Sequence, residues 1–312
     1  RLLNPKSKLA DKIESKVSQV KWLGKLAKYL PPYQVTVCGN IKWSGVPFIL
    51  QFNHSHTGSG TLFIDSEKKL VDLKSKFSQR EVRVTSFIKG PVFTNNNIVW
   101  GNMVLIGNIN YQITGLSPFT DNEFATIGND WALPNKILSA KQIKQYKKIA
   151  AEIGNKLKND DWKGLYGIDV IVDEKTGRFY LLEINARQPA STTFESQLQR
   201  LVIPTEAEES LTPDERDLST TLEMTKLTST FEAHLAGLLD LPNKNYKLIP
   251  VTDGAQIIQR VTKNVPAIQT PKMKNNAPIN IIKYNNTSLG SDLIRWQFSR
   301  GIMQKHNTLN AL

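Results

Sequence analysis

The stretch that most limits what this chain can become is GIDVIVDEKTGRFYLLEINAR, residues 167–187. Two apolar runs flank a polar segment ending in Thr176-Gly177, the pattern of a β-hairpin whose glycine supplies a positive φ. With the loop centred near Thr176, Asp169 and Glu183 fall opposite each other and share a face. Directly opposed Cβ atoms lie about 4.5–5.5 Å apart, where two like charges are destabilising unless a cation sits between them. Asn185, two residues on, adds a neutral oxygen on that face. Carboxylate and amide oxygens suit hard Mg²⁺, which uses few protein ligands and keeps waters or phosphate oxygens. An edge hairpin with one solvated polar face would show the same alternation.

The remaining chain alternates helical and strand signals. Residues 4–30 read as a helix, capped by Asn4, with Pro5 in the first turn and Leu9, Ile13, Val17, Val20 and Leu23 at helical spacing, and stopped by Pro31-Pro32. Strands are expected at YQVTV, VPFILQF, TLFI and EVRVTSFI, with a helix over SEKKLVDLKSKF. Residues 98–116 read as strands turning at Gly101 and Gly107, and 117–138 carry no clear pattern. A capped helix starts at Ser139, with Ile143, Tyr146, Ile149, Ile153 and Leu157 on one stripe. Residues 202–218, acidic and holding two prolines, read as an exposed linker. A helix near 220–239, strands around AQIIQRV and an asparagine-rich basic tail complete the chain.

In QFNHSHTGSGT, Gly58, Ser59 and Gly60 follow an apolar strand, so backbone N–H groups there can approach phosphate oxygens. The stretch is neither a P-loop nor a dinucleotide fingerprint, and a plain hairpin turn is the alternative reading. His54 and His56 flank it; a zinc site built on them lacks further ligands, because His234 and His306 are far away in sequence.

Taken in order over residues 9–240, these segments resemble the ATP-grasp superfamily of ligases. That resemblance implies an α+β fold in which two α+β lobes with antiparallel sheets clasp a nucleotide, with ATP and Mg²⁺ as cofactors. It implies a helical segment over 1–30, a first lobe with the glycine loop over 31–85, a second lobe with the hairpin over 86–201, the linker, and a C-terminal subdomain over 219–312. Lys12 corresponds to the family's first phosphate-contacting lysine, and Gly58, Ser59 and Gly60 to its flexible phosphate loop. Thr85, Ser86, Phe87 and Ile88 match the hinge strand that reads the adenine edge, and Ile171 and Leu182 the adenine walls, although core packing explains those two equally. Asp169, Glu183 and Asn185 match the Mg²⁺ ligands, and Arg187 the cation facing the acyl phosphate. One departure is plain: Gln51 stands where the family has a second lysine, offering a hydrogen bond but no charge.

The implied activity is ligation, with ATP converting a small-molecule carboxylate to an acyl phosphate that an amine attacks. A biotin-carboxylase-like carboxylation, phosphorylation of a hydroxyl, or a catalytically weakened ATP-binding regulator are the alternatives, the last motivated by Gln51. Family members carry a further domain before the two lobes, so a missing N-terminal domain is expected ahead of Arg1.

Composition narrows the setting. Of the net charge of +12, residues 1–30 carry +6 and residues 255–312 carry +7, leaving the middle about neutral. Basic ends could meet nucleic acid, but charge alone specifies no groove contact, and solvated helix faces account for them. A single cysteine, Cys38, excludes an internal disulfide framework and fits a reducing, cytoplasmic setting. A mean hydropathy of −0.32 and the lack of a long uncharged apolar run argue against a membrane span.

Overall fold

The computed structural model describes residues 7–53, 60–202, 226–263 and 277–310. The chain divides into two compact units, each drawn from separated stretches: a smaller one of Pro5–Phe93 with Ile168–Arg187, and a larger one of Thr94–Gly167 with Gln188–Leu312.

The smaller unit opens with two helices, α1 (Ser7–Glu14) and α2 (Lys16–Leu23), followed by a 3-10 segment, Gly24–Tyr29. The single helix expected here is broken at Ser15, whose backbone is extended (φ −69°, ψ 121°). The break has a partner: Asn53 accepts from Lys16 N–H through its carbonyl (3.2 Å) and from Val17 N–H through its side chain (3.1 Å), satisfying donors that a helix start leaves open. Released from the line of α1, α2 buries Lys16, Gln19, Trp22 and Leu23.

Strands β1 (Tyr33–Val37), β2 (Phe48–Phe52), β3 (Thr61–Ile64) and β4 (Glu81–Ser86) form an antiparallel sheet in the order β1-β4-β2-β3, and helix α3 (Glu67–Phe77) lies between β3 and β4 in sequence. Alternation sorts its two faces. Phe48, Leu50, Phe52 and Val82 join Leu70 and Leu73 of α3 in one apolar core. Gln51 and Arg83, directly opposite in the register, point to the other face.

The larger unit contains β5 (Val92–Trp100), β6 (Met103–Leu105), β7 (Asn110–Thr114), β8 (Thr126–Asp130), α4 (Leu133–Ile137), α5 (Ala140–Asn159) and the start of β9 (Gly164–Val172). The second half of β9 and all of β10 (Phe179–Asn185) belong to the smaller unit. Then follow α6 (Thr192–Val202), β11 (Lys226–Thr228), α7 (Thr230–Leu238), β12 (Tyr246–Leu248), β13 (Ala255–Arg260), β14 (Asn280–Lys283), β15 (Asp292–Phe298), β16 (Met303–Lys305) and β17 (Thr308–Leu309). Its main sheet runs β9-β5-β7-β8-β13-β15-β14, with β6 on β5.

Several sequence expectations are corrected here. Strand β5 starts at Val92 rather than near 98, and its Asn95, Asn96 and Asn97 are wholly buried. Hydropathy cannot flag such a strand; what tolerates it is pairing, since Asn95 and Asn97 each donate an amide N–H to the other's oxygen, at 2.6 and 2.8 Å. The patternless 117–138 holds β8 and α4, and the described part of the basic tail contains β14–β17. The helix expected at 220–239 spans Thr230–Leu238 among the described residues, and the acidic linker falls outside them apart from Val202. No helix among the described residues is long and apolar enough to cross a membrane.

Candidate active site

A hairpin turns at Gly177, closed between Asp173 and Arg178. Gly177 takes φ 67°, its N–H donates to Asp173 O (2.8 Å), and Asp173 N–H donates to Arg178 O (2.9 Å). At the end away from the turn, Asn185 Nδ2 reaches Asp169 Oδ2 at 3.4 Å, and Arg187 Nη2 donates to Asn185 Oδ1 at 3.0 Å. Asn185 thus links Asp169 on one side to Arg187 on the other.

Two residues absent from the sequence reading complete the group. Lys16, from the first turn of α2, places Nζ 2.8 Å from Glu183 Oε1, and Glu14, at the end of α1, meets Arg187 Nε at 3.3 Å. Burial pushes the Glu14 carboxyl above its ordinary range, against the pull of Arg187. The helix break at Ser15 lies between these two partners. Lys12 remains exposed on α1, four residues before Lys16.

Arg83 was also missed. Its guanidinium is 1 % exposed, so every one of its contacts is with protein. Nε and Nη2 donate to Gln51 Oε1 at 2.9 and 2.7 Å, Nη1 donates to Gln19 Oε1 at 3.0 Å, and Nη2 also donates to Leu182 O at 3.2 Å. Burial pulls its pKa down to about 10, opposed by the charge of Glu183, so it stays a cation at neutral pH. A charged residue in EVRVTSFI on the same strand parity as Thr85 was the available signal, but only the register shows that β4 is a central strand.

Of the other expected nucleotide contacts, Thr85 and Ile171 are buried and Leu182 is half-buried. Ser86 N–H donates to Pro32 O (2.9 Å). Phe87 is exposed with its ring tilted against Phe63 at 4.7 Å, and Ile88 is half-buried. Gly60 O accepts from Phe52 N–H at 3.0 Å. Gly58 and Ser59, with His54 and His56, lie outside the described residues.

Carboxylate and amide oxygens are hard donors of the kind Mg²⁺ takes, but here Asn185 turns Nδ2 towards Asp169, its Oδ1 accepts from Arg187, and Glu183 Oε1 is paired with Lys16. No group of three or more His, Cys, Asp or Glu suited to a metal occurs among the described residues. Any ion here would thus depend on the amide and on oxygens from elsewhere.

In the larger unit, Asp130 is taken up structurally: it accepts from the backbone N–H groups of Ala132, Leu133, Ile302 and Met303 at 2.7–2.9 Å. Glu195, on α6, is fully buried and accepts from Asn108 Nδ2 (3.0 Å), Thr230 Oγ1 (3.0 Å) and Asn96 Nδ2. Burial pushes its pKa up to about 7 although these hydrogen bonds favour the ionised form.

Neither a family model nor a curated protein sequence matches the chain. Solved structures do. The chain is similar to phosphoribosylamine–glycine ligase from Thermotoga maritima (TM-score 0.60, 12 % identity, covering 95 % of this chain and 73 % of that one). It is similar to L-amino acid ligase from Bacillus licheniformis (TM-score 0.60, 12 % identity, 93 % and 68 %). A third is N5-carboxyaminoimidazole synthetase from Staphylococcus aureus in complex with ADP (TM-score 0.54, 12 % identity), of which the chain covers 57 % of the length while 79 % of this chain is covered. All three are ATP-grasp enzymes, and likeness at these identities establishes the fold.

Proposed function

We propose that this chain, whose fold is that of the ATP-grasp enzymes, is an ATP-dependent ligase that activates a carboxylate as an acyl phosphate for attack by an amine or similar nucleophile. The observation that carries the reading is the chain of contacts from Asp169 through Asn185 to Arg187, with Lys16 against Glu183. Two of the three similar structures are of ligases, one of L-amino acids, and the third holds ADP.

In the reaction a carboxylate oxygen bonds to the γ-phosphorus as the bond to ADP breaks. The amine then attacks the carbonyl carbon, expels phosphate and loses a proton. Mg²⁺, when bound, neutralises charge on the transferring phosphoryl group, and Asp169, Glu183 and Asn185 would hold it. Lys16 fixes the Glu183 carboxylate and offsets its charge. Arg187, more than half exposed and steered by Glu14 and Asn185, supplies a cation where the acyl phosphate gains negative charge. Thr85 to Ile88 serve the adenine edge, Ile171 and Leu182 its walls, and Lys12, Gln51 and the 58–60 loop the phosphates.

Phosphate and ADP release, measured with Mg-ATP across a panel of carboxylic acids and amines, tests the reading. Asp169→Asn and Glu183→Gln should each weaken Mg-ATP binding or turnover while the far-UV spectrum is unchanged; full activity in both would remove the assignment. Gln51 motivates a second reading, a nucleotide-binding regulator, for which wild-type protein binds Mg-ATP tightly and turns over no substrate in the panel.

A further inference from the structure

The position that lacks a lysine has a cation one strand away. Gln51 and Arg83 are directly opposed on β2 and β4. Arg83 has only donors, so the Gln51 atom that faces it must be the oxygen. Oε1 accepts two guanidinium N–H groups, at 2.9 and 2.7 Å, which occupies its lone pairs. The amide nitrogen is thereby turned the other way, and Nε2 donates to Thr61 Oγ1 at 3.2 Å, next to Gly60 at the end of the glycine stretch. One N–H of that nitrogen meets Thr61, the other has no partner among the described residues, and Gln51 is only half-buried.

We infer that Arg83 and Gln51 act as one unit, in which a buried guanidinium orients and polarises an amide so that its N–H, rather than a lysine ammonium, binds the nucleotide's phosphates. The inference rests on the nucleotide-binding reading above. Arg83 is a positioning residue: at 1 % exposed it meets no ligand itself. Its own orientation is fixed from two further sides, by Gln19 Oε1 and by Leu182 O, and Gln19 is held in turn through Nε2 to Ile13 O at 2.8 Å. The same geometry disfavours a lysine at 51. Its ammonium would replace an acceptor with a like charge within hydrogen-bond distance of a buried guanidinium.

Three variants separate this from a purely structural role. In Gln51→Glu the carboxylate accepts the same Arg83 N–H groups, so the thermal midpoint should be equal or higher, yet the donor is gone and a negative charge faces the phosphates. Mg-ATP affinity by calorimetry should fall roughly 10- to 100-fold, the scale of a lost hydrogen bond to a charged group. Gln51→Lys alone should lower the midpoint. Combining it with Arg83→Gln, which exchanges the charge and the amide between the strands, should restore the midpoint and hold Mg-ATP affinity within about threefold of wild type. Wild-type affinity in Gln51→Glu overturns the inference while leaving nucleotide binding standing, and so does failure of that variant to fold, since the carboxylate–guanidinium pair would then not form. Wild-type protein that binds no Mg-ATP overturns the nucleotide reading and this inference together.

Discussion

Glu195 shows how burial and hydrogen bonding compete at a single residue. Three side-chain donors and the Asn108 backbone N–H reach its carboxylate, but with no cation beside it among the described residues desolvation wins and the pKa rises to about 7. An acid raised above its unfolded value of about 4.5 makes the folded state hold the proton more tightly. The stabilisation is therefore complete below pH 4.5 and is lost as pH rises through 7. The difference is on the order of 3 kcal/mol. Urea unfolding between pH 4.5 and 8 should show stability falling less steeply with pH in Glu195→Gln than in wild type; parallel profiles would mean that the carboxylate ionises normally. Lys16 is buried and its partner Glu183 is more than a third exposed, so solvent screens part of the attraction, and Lys16→Met should cost only about 1–2 kcal/mol. Its readable consequence is a weaker Mg-ATP complex, because Glu183 loses the group that fixes it. The hairpin that carries Asp169, Glu183, Asn185 and Arg187 was legible because alternation and a turn glycine are local properties. Lys16, Arg83 and Glu195 were not, because what makes each of them matter is a partner far along the chain.

At the level of elements, local chemistry was readable where the element closes on itself. Helix α5 begins where the Ser139 cap suggests, and the structure completes it as a reciprocal capping box with Gln142. Ser139→Ala removes the acceptor for Gln142 N–H and should lower stability by about 1 kcal/mol, measured by denaturant midpoint at unchanged slope. The α1–α2 break was illegible for the opposite reason. Its cause is Asn53, and a helix interrupted by a distant loop keeps the spacing of an uninterrupted one. Gly90, in the turn between β4 and β5, sets a harder constraint. Its φ is 153°, and an added Cβ would lie 1.9 Å from Val172 O, so backbone would have to move. Gly90→Ala should therefore cost on the order of 3 kcal/mol or more, at the severe end for single substitutions. A small loss would mean that this turn and the end of β9 are not held together.

Across the whole molecule, the fold class followed from the order of motifs, whereas the interleaving of the two units did not. No local signal announces that Ile168–Arg187 belongs with Pro5–Phe93, since that association is made by contacts such as Lys16 with Glu183 and Arg83 with Leu182 O. This has a consequence for ligand binding. Anything that binds only the native state raises its stability, by about 2.7 kcal/mol at a hundredfold excess over Kd. If nucleotide is held as proposed, the residues that meet it or steer those that do are distributed over α2, β2, β4 and β10, elements joined through Arg83, Gln19 and the Lys16 pair. Protection should then spread along those connections. Native-state hydrogen exchange with and without Mg-ATP should show slower exchange in α2, β2, β4 and β10 together, and Arg83→Gln should confine the slowing to fewer of them. Protection that appears in β10 alone, or that is insensitive to Arg83, would show that the hairpin binds without the network that ties it to the rest of its unit.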